Sequence, residues 1–248
     1  MTKQYKKIDM TTGKYCEFPG ITVISAIQEA DRPFWANVYN SLKSSDIFCK
    51  YYSPLPDTSY HMTAFEIETK SVVVAEGKSW KQYVNDRLDL YKKLHCDLIQ
   101  ANIHPQIKPT DCSFNGSLIL ALELSSEQRE YIQILAKKYG LEAKIPEQFH
   151  ITLAYQYQHL SDPDDFMKIY SQIEKLKRPI LKKTFTLEPP KLCSFNSMEE
   201  FTPWTGDANP FIKEPVFKLI QSYFFSSISS HGENTKKNMS PNLTCAIL

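Results

Sequence analysis

Two of the six histidines stand in the same local frame, Tyr60-His61-Met62-Thr63 and Phe149-His150-Ile151-Thr152. Each tetrad reads aromatic, His, apolar, Thr. Imidazole titrates near pH 6.5, so at neutral pH one histidine can take a proton while another gives one. A threonine hydroxyl can donate to a non-bridging phosphate oxygen, where charge sits in the transition state. Two such pairs on one pocket suit cleavage of a phosphodiester. His61 and His150 are then the catalytic acid and base, with neither role assigned, and Thr63 and Thr152 hold the phosphate. The scheme calls for no metal and no cofactor. A single His-x-Thr is an ordinary feature of strands; two copies with matching flanks are the informative observation.

Such a pocket needs two strands. Side chains alternate faces along a strand, so His61 and Thr63 project from one face and Met62 from the other, and His150, Ile151 and Thr152 divide the same way. The apolar middle residues face a core while the four polar ones line a cleft. Phe65 shares parity with His61 and Thr63, so it either stacks on a base or packs in the core. Tyr155 and Tyr157 share parity with Ile151 and point first to the core, although strand twist could bring Tyr155 to the rim as a second stacking residue.

The segments around the motifs alternate strand and helix. Strands are expected at Gly20–Ile27, Tyr60–Ile67, Ser113–Leu124, Phe149–Tyr157 and Lys182–Leu187, the last resuming after Pro189-Pro190. A helix over about Pro33–Leu42 follows Asp31 as its cap. Pro54 and Pro56 break the chain. Ser79 caps one long helix carrying Tyr83, Leu88, Tyr91, Leu94, Leu98 and Ile99. Ser125-Ser126 caps another, ending at Tyr139 before Gly140. Asp162-Pro163 opens a third, ending near Lys177–Arg178 before Pro179. Strands separated by helices, in two halves of similar content, predict an α/β or α+β fold.

Composition narrows the function. The 29 Lys and Arg against 28 Asp and Glu leave a net charge of +1, which disfavours duplex DNA or a membrane surface held by bulk charge. Pairs such as Lys6-Lys7, Lys92-Lys93, Lys137-Lys138 and Lys182-Lys183 are dispersed and read as solvated faces. Only seven glycines occur, with no phosphate-binding or dinucleotide-binding glycine pattern. The N-terminus has lysines without an apolar stretch behind them, so no secretory signal is expected. The six scattered cysteines fit reduced thiols in the cytoplasm. His95, His104, His159 and His231 have no matching partner.

The paired His-x-Thr motifs resemble those of the two-histidine phosphoesterase superfamily, which includes LigT-like RNA cyclic phosphodiesterases and the myelin cyclic-nucleotide phosphodiesterase. The likeness is closer to an uncharacterised branch of it. It is carried by Gly20-Ile21-Thr22-Val23-Ile24, the Leu55-Pro56 to Phe65 segment, Phe149-His150-Ile151-Thr152-Leu153-Ala154-Tyr155, and the Pro190–Phe201 segment with Phe195-Asn196-Ser197-Met198. The resemblance implies a bilobal fold, antiparallel strands from two pseudo-symmetric lobes around a central cleft with helices outside, each lobe giving one motif. It implies metal-independent hydrolysis of a 2′,3′-cyclic phosphate or related phosphodiester on a nucleotide or RNA end. A 3′-end RNA exonuclease, or a phosphodiesterase of another cyclic or oligoadenylate nucleotide, is the alternative within enzymes. A non-catalytic nucleotide-binding or membrane-tethered scaffold is the alternative outside them.

Residues 1–225 are expected to form the bilobal domain and 226–248 a polar, mobile tail. The chain ends Cys245-Ala246-Ile247-Leu248, a C-a-a-X pattern whose final Leu favours geranylgeranylation of Cys245. One prenyl chain gives marginal membrane binding, so a cytoplasmic protein with a peripheral anchor is the expectation.

Overall fold

The computed structural model describes residues 6–212. The expected tail and Cys245 lie outside the described residues.

The strand β1 (Gly20–Ala26) is buried at every position but its last, as a β-branched apolar run predicts for a central strand. α1 (Arg32–Lys43) turns Trp35, Val38 and Leu42 inward at three- and four-residue spacing. Asp31 does not cap it. Its backbone is already helical, part of the short turn Glu29–Asp31 that leads in, and its side chain accepts no capping bond. α2 (Asp46–Cys49) and β2 (Tyr52–Pro54) follow, and β3 (His61–Thr69) carries the first motif.

The single long helix expected after Ser79 is two. Ahead of it lies α3 (Lys70–Ala75). Ser79 does cap α4 (Trp80–Asn85), but α5 (Leu88–Ala101) starts afresh because Arg87, at φ −117° and ψ 8°, has left helical geometry. Ile99 is consequently exposed rather than packed. The expected strand Ser113–Leu124 is the second arm of a hairpin, β4 (Gln106–Ser113) and β5 (Ser117–Leu124). Pro109 within β4 is tolerated because β7, its outer neighbour, pairs only with Gln106 and Ile107. At Pro109 the strand is an edge, and the missing N–H breaks no ladder bond there.

α6 (Ser126–Lys138) begins where expected, the Ser125 hydroxyl accepting from the Gln128 N–H at 3.3 Å. Gly140 past its end takes φ +67°, a conformation only glycine adopts cheaply. β6 (His150–Gln156) carries the second motif. The Asp162 carboxylate accepts from the Asp164 N–H at 2.9 Å to cap α7 (Pro163–Ile180), which runs through Pro179 instead of stopping before it. β7 (Phe185–Thr186), β8 (Lys191–Ser197) and β9 (Glu200–Pro203) complete the order. No helix among the described residues is long and apolar enough to cross a membrane.

Every strand pairs antiparallel, in the order β7-β4-β5-β6-β3-β1-β8-β9, with β2 also on β6. The sheet thus has two halves. One is β7, β4, β5 and β6; the other is β3, β1, β8 and β9. They meet where Met62 of β3 pairs with Ile151 of β6. The fold is the expected bilobal α+β arrangement, with one motif strand from each lobe at the join.

Candidate active site

The middle residues of the two motifs, Met62 and Ile151, are fully buried, while His61, Thr63, His150 and Thr152 are half-buried on the other face. Burial of the apolar residue fixes the facing of its neighbours. Antiparallel pairing about Met62 and Ile151 directs His61 toward Thr152 and Thr63 toward His150. The two histidines are therefore diagonal neighbours, about 7–8 Å apart at the backbone. Imidazoles reaching inward from that separation can both touch one phosphate.

Both rings are anchored alike. His61 Nδ1 lies 2.6 Å from the Ser59 carbonyl, and His150 Nδ1 lies 2.9 Å from the Gln148 carbonyl. A carbonyl oxygen can only accept, so each Nδ1 carries a proton and donates it. Each Nε2 is left for a ligand, able to accept when the ring is neutral and donate when it is charged.

Beyond each threonine the strand alternation slips. Opposite Val23 and Ile24, β3 passes from Phe65 to Thr63 and leaves Ala64 unpaired. Opposite Leu118 and Ile119, β6 passes from Ala154 to Thr152 and leaves Leu153 unpaired. These bulges occur at corresponding places, and each buries two successive residues, Ala64-Phe65 and Leu153-Ala154. Phe65 is therefore taken off the face of His61 and Thr63 and lies wholly in the core, without an open ring face for a base. By the same shift Tyr155 is half-buried and set against the rim.

A cavity of about 310 Å³ opens beside the first motif, lined by His61, Thr63, Lys7, Phe18, Phe195 and Phe201 among others. Glu66, Glu68 and Lys144 also line it. Phe201 reaches it from β9, its ring 4.2 Å from that of His61. Phe195 lies 5.0 Å from Phe201. Gly20 makes room for Phe195, since a Cβ there would fall 2.3 Å from its ring. A larger, open hollow of about 640 Å³ beside α7 contains none of the expected site residues. His104 Nδ1 is 3.2 Å from the Leu187 carbonyl, away from the motifs.

Burial pushes the His61 pKa down to about 4, against the pull of the Ser59 carbonyl, and the charges of His150 and Lys7 push the same way. His61 is thus neutral at pH 7, with Nε2 unprotonated. Among the described residues no cluster of three or more His, Cys, Asp or Glu is placed to hold a metal ion. Lys7 and Phe201 are among the lining residues that the motif reading did not supply. Phe201 ends one of the family-like segments, a signal that was present; Lys7 carries no such signal.

Residues 10–91, which include His61 and Thr63, match the family model 2H-phosphodiest, described as a domain of unknown function (DUF1868). The chain is 27% identical over 234 residues to Uncharacterized protein 127L of Invertebrate iridescent virus 6, covering 82% of this chain and 96% of that one. Among solved structures it is similar to the conserved protein of unknown function ATU0111 from Agrobacterium tumefaciens str. C58. The TM-score is 0.59 at 18% identity, covering 81% of this chain and 90% of the other, which shows a shared fold. LigT of E. coli in its apo form also aligns, with a TM-score of 0.43 at 11% identity over 76% of this chain and 95% of that one. The first motif thus lies inside the segment matched by the two-histidine phosphodiesterase domain model, and the second is paired against it across the sheet.

Proposed function

We propose that the protein is a phosphodiesterase acting on a 2′,3′-cyclic phosphate, at an RNA end or on a nucleotide, with His61 as general base and His150 as general acid. The observation that carries the reading is the matched anchoring of the two imidazoles, each held by Nδ1 on a backbone carbonyl with Nε2 free. His61 is the base because it stays neutral at neutral pH. As water oxygen bonds to phosphorus, His61 Nε2 takes the water proton. The bond from phosphorus to one ribose oxygen breaks, and His150 Nε2–H protonates that oxygen, leaving a phosphomonoester. Each histidine ends in the other's starting charge state and resets by exchange with solvent. Thr63 and Thr152 donate to the non-bridging oxygens. The cavity beside His61 is of ligand size, and Phe18, Phe195 and Phe201 give it aromatic walls suited to a base.

The test is a screen of purified protein in EDTA against 2′,3′-cyclic mononucleotides, cyclic-phosphate RNA ends and 2′-5′ oligoadenylates. Hydrolysis of a cyclic phosphate to a monoester is expected. Inactivity toward the whole panel, or activity abolished by the chelator, overturns the reading.

The pH dependence assigns the roles. A base with a lowered pKa stays unprotonated until the pH falls through that value, so the acid limb of kcat/KM should centre near pH 4. A limb well above that value would reject His61 as the base. The same shift lowers stability in acid: the unfolded chain binds this proton near pH 6.5 and the folded chain only near 4, so stability declines as pH falls across that window. His61→Gln should flatten that decline in urea titrations.

The threonines are expected to matter less than the histidines. Thr63→Val and Thr152→Val each remove one neutral donor and should each cost about tenfold in kcat/KM, or roughly 1.4 kcal/mol. Losses as large as those of the histidine variants would show that the hydroxyls do more than hold oxygens.

A further inference from the structure

We infer that Lys7 is the phosphate clamp of this site, a cation brought by the N-terminal arm to the join between the lobes, where it holds the non-bridging oxygens of the scissile phosphate. The inference rests on the phosphodiesterase reading and adds a group that neither motif contains.

Three observations converge on Lys7. It lines the same cavity as His61 and Thr63 of β3, yet its Nζ lies 3.5 Å from the hydroxyl oxygen of Tyr155, on β6. It therefore stands where the two motif strands meet. Secondly, the ammonium is held by aromatic faces, 5.3 Å from the centre of the Tyr155 ring and 5.7 Å from that of Phe18. Such faces orient a cation without cancelling its charge. Thirdly, Lys7 pairs with no carboxylate among the described residues. Lys50, Lys92 and Lys144, by contrast, each lie within 3.3 Å of one. An uncancelled cation beside a neutral imidazole and the Thr63 hydroxyl is a site awaiting an anion.

The arm that carries Lys7 is tied down. The Cys16 N–H donates to the Lys7 carbonyl at 3.1 Å, and Ile8, buried, bridges to Tyr15. The Tyr15 hydroxyl donates to the Ser53 carbonyl at 2.6 Å, and the Phe18 N–H donates to the Asn196 carbonyl at 2.8 Å. These bonds reach β2 on one lobe and β8 on the other. Tyr155 thus acts as a positioning residue for Lys7, which explains its place at the rim without a stacked base.

The experiment compares the wild-type chain with Lys7→Met, Lys7→Gln and Lys7→Arg. Inorganic phosphate is titrated in EDTA at low salt while the imidazole signals of His61 and His150 are followed by NMR. Lys7→Met and Lys7→Gln should bind phosphate about tenfold more weakly, and Lys7→Arg about as well as wild type. The His61 midpoint should also rise in the two neutral variants, because one of the charges opposing its protonation is gone. His150 from β6 still faces His61, and Glu66, Glu68 and Lys144 still line the cavity, so the rise is partial. Unchanged phosphate binding and an unmoved His61 midpoint in both neutral variants would overturn the inference. So would a wild-type chain that does not bind phosphate, or a Lys7→Arg variant as weak as Lys7→Met. None of these readouts needs turnover: a chain that hydrolyses nothing, yet loses phosphate affinity with Lys7, rejects the phosphodiesterase reading and keeps the clamp.

Discussion

His61→Ala and His150→Ala are each expected to lower kcat/KM on the best cyclic phosphate by about 10²–10⁴, or roughly 3–5 kcal/mol of barrier. The size follows from the role of proton transfer. Without His61 the attacking water must lose its proton to solvent; without His150 the ribose oxygen must leave as an alkoxide. Both groups serve one passage over one barrier, so the double variant should be far less impaired than the product of the single losses. The fold should tolerate each change, because both residues are only half-buried and each ring makes a single hydrogen bond, to a backbone carbonyl. Near-wild-type turnover in either single variant, with a folded chain by circular dichroism, would reject the acid-base pair. Strictly multiplicative losses would mean that the two histidines act in separate steps.

Trp35→Ala should cost about 3–5 kcal/mol of folding stability, as large-to-small changes of buried aromatic residues do. Trp35 is completely buried and packs edge-on to Tyr60, with ring centres 5.9 Å apart, and against Phe185 at 4.9 Å. It thereby joins α1 to the residue just before His61 and to the short strand β7. Against a typical stability of about 5–15 kcal/mol the loss is severe, and the urea midpoint should fall by about 1–2 M with little change in slope. Trp35→Phe should lose much less, since it keeps an aromatic ring and removes an indole N–H that has no partner. If Trp35→Ala unfolds at the wild-type midpoint, α1 does not hold the sheet in place.

The four motif residues were legible because two-residue periodicity needs only three positions to set a face. His61 to Thr63 and His150 to Thr152 each fit within that span. Two residues further on, the same rule failed. The bulges at Ala64 and Leu153 add a residue that no composition rule marks, so Phe65 went to the core and Tyr155 to the rim. The strand β4 was missed because it is polar, exposed on most positions and contains Pro109, each of which argues against a strand unless its edge position is known. The break between α4 and α5 lacks a glycine or proline to announce it. Lys7 was beyond reach of the sequence for a different reason. A lysine pair near a terminus resembles any solvated face until the arm folds back, and that depends on partners as distant as Ser53 and Asn196.

The junction of the two half-sheets has a mechanical consequence. β1 and β3 are registered along seven paired positions, Gly20 to Ala26, whereas β3 and β6 share the one pair Met62 and Ile151. A ladder with a single rung resists separation through the core beneath it but gives little resistance to twist. Each half can turn slightly about that rung while its own ladders stay intact. Methionine suits such a pivot, because its unbranched, polarisable side chain keeps contact as neighbours shift. A turn of this kind alters the gap between His61 and His150 before it alters anything within either lobe. The spacing of the two imidazoles is therefore a compliant dimension of the molecule, and a phosphate bridging both would act as the brace that stiffens it.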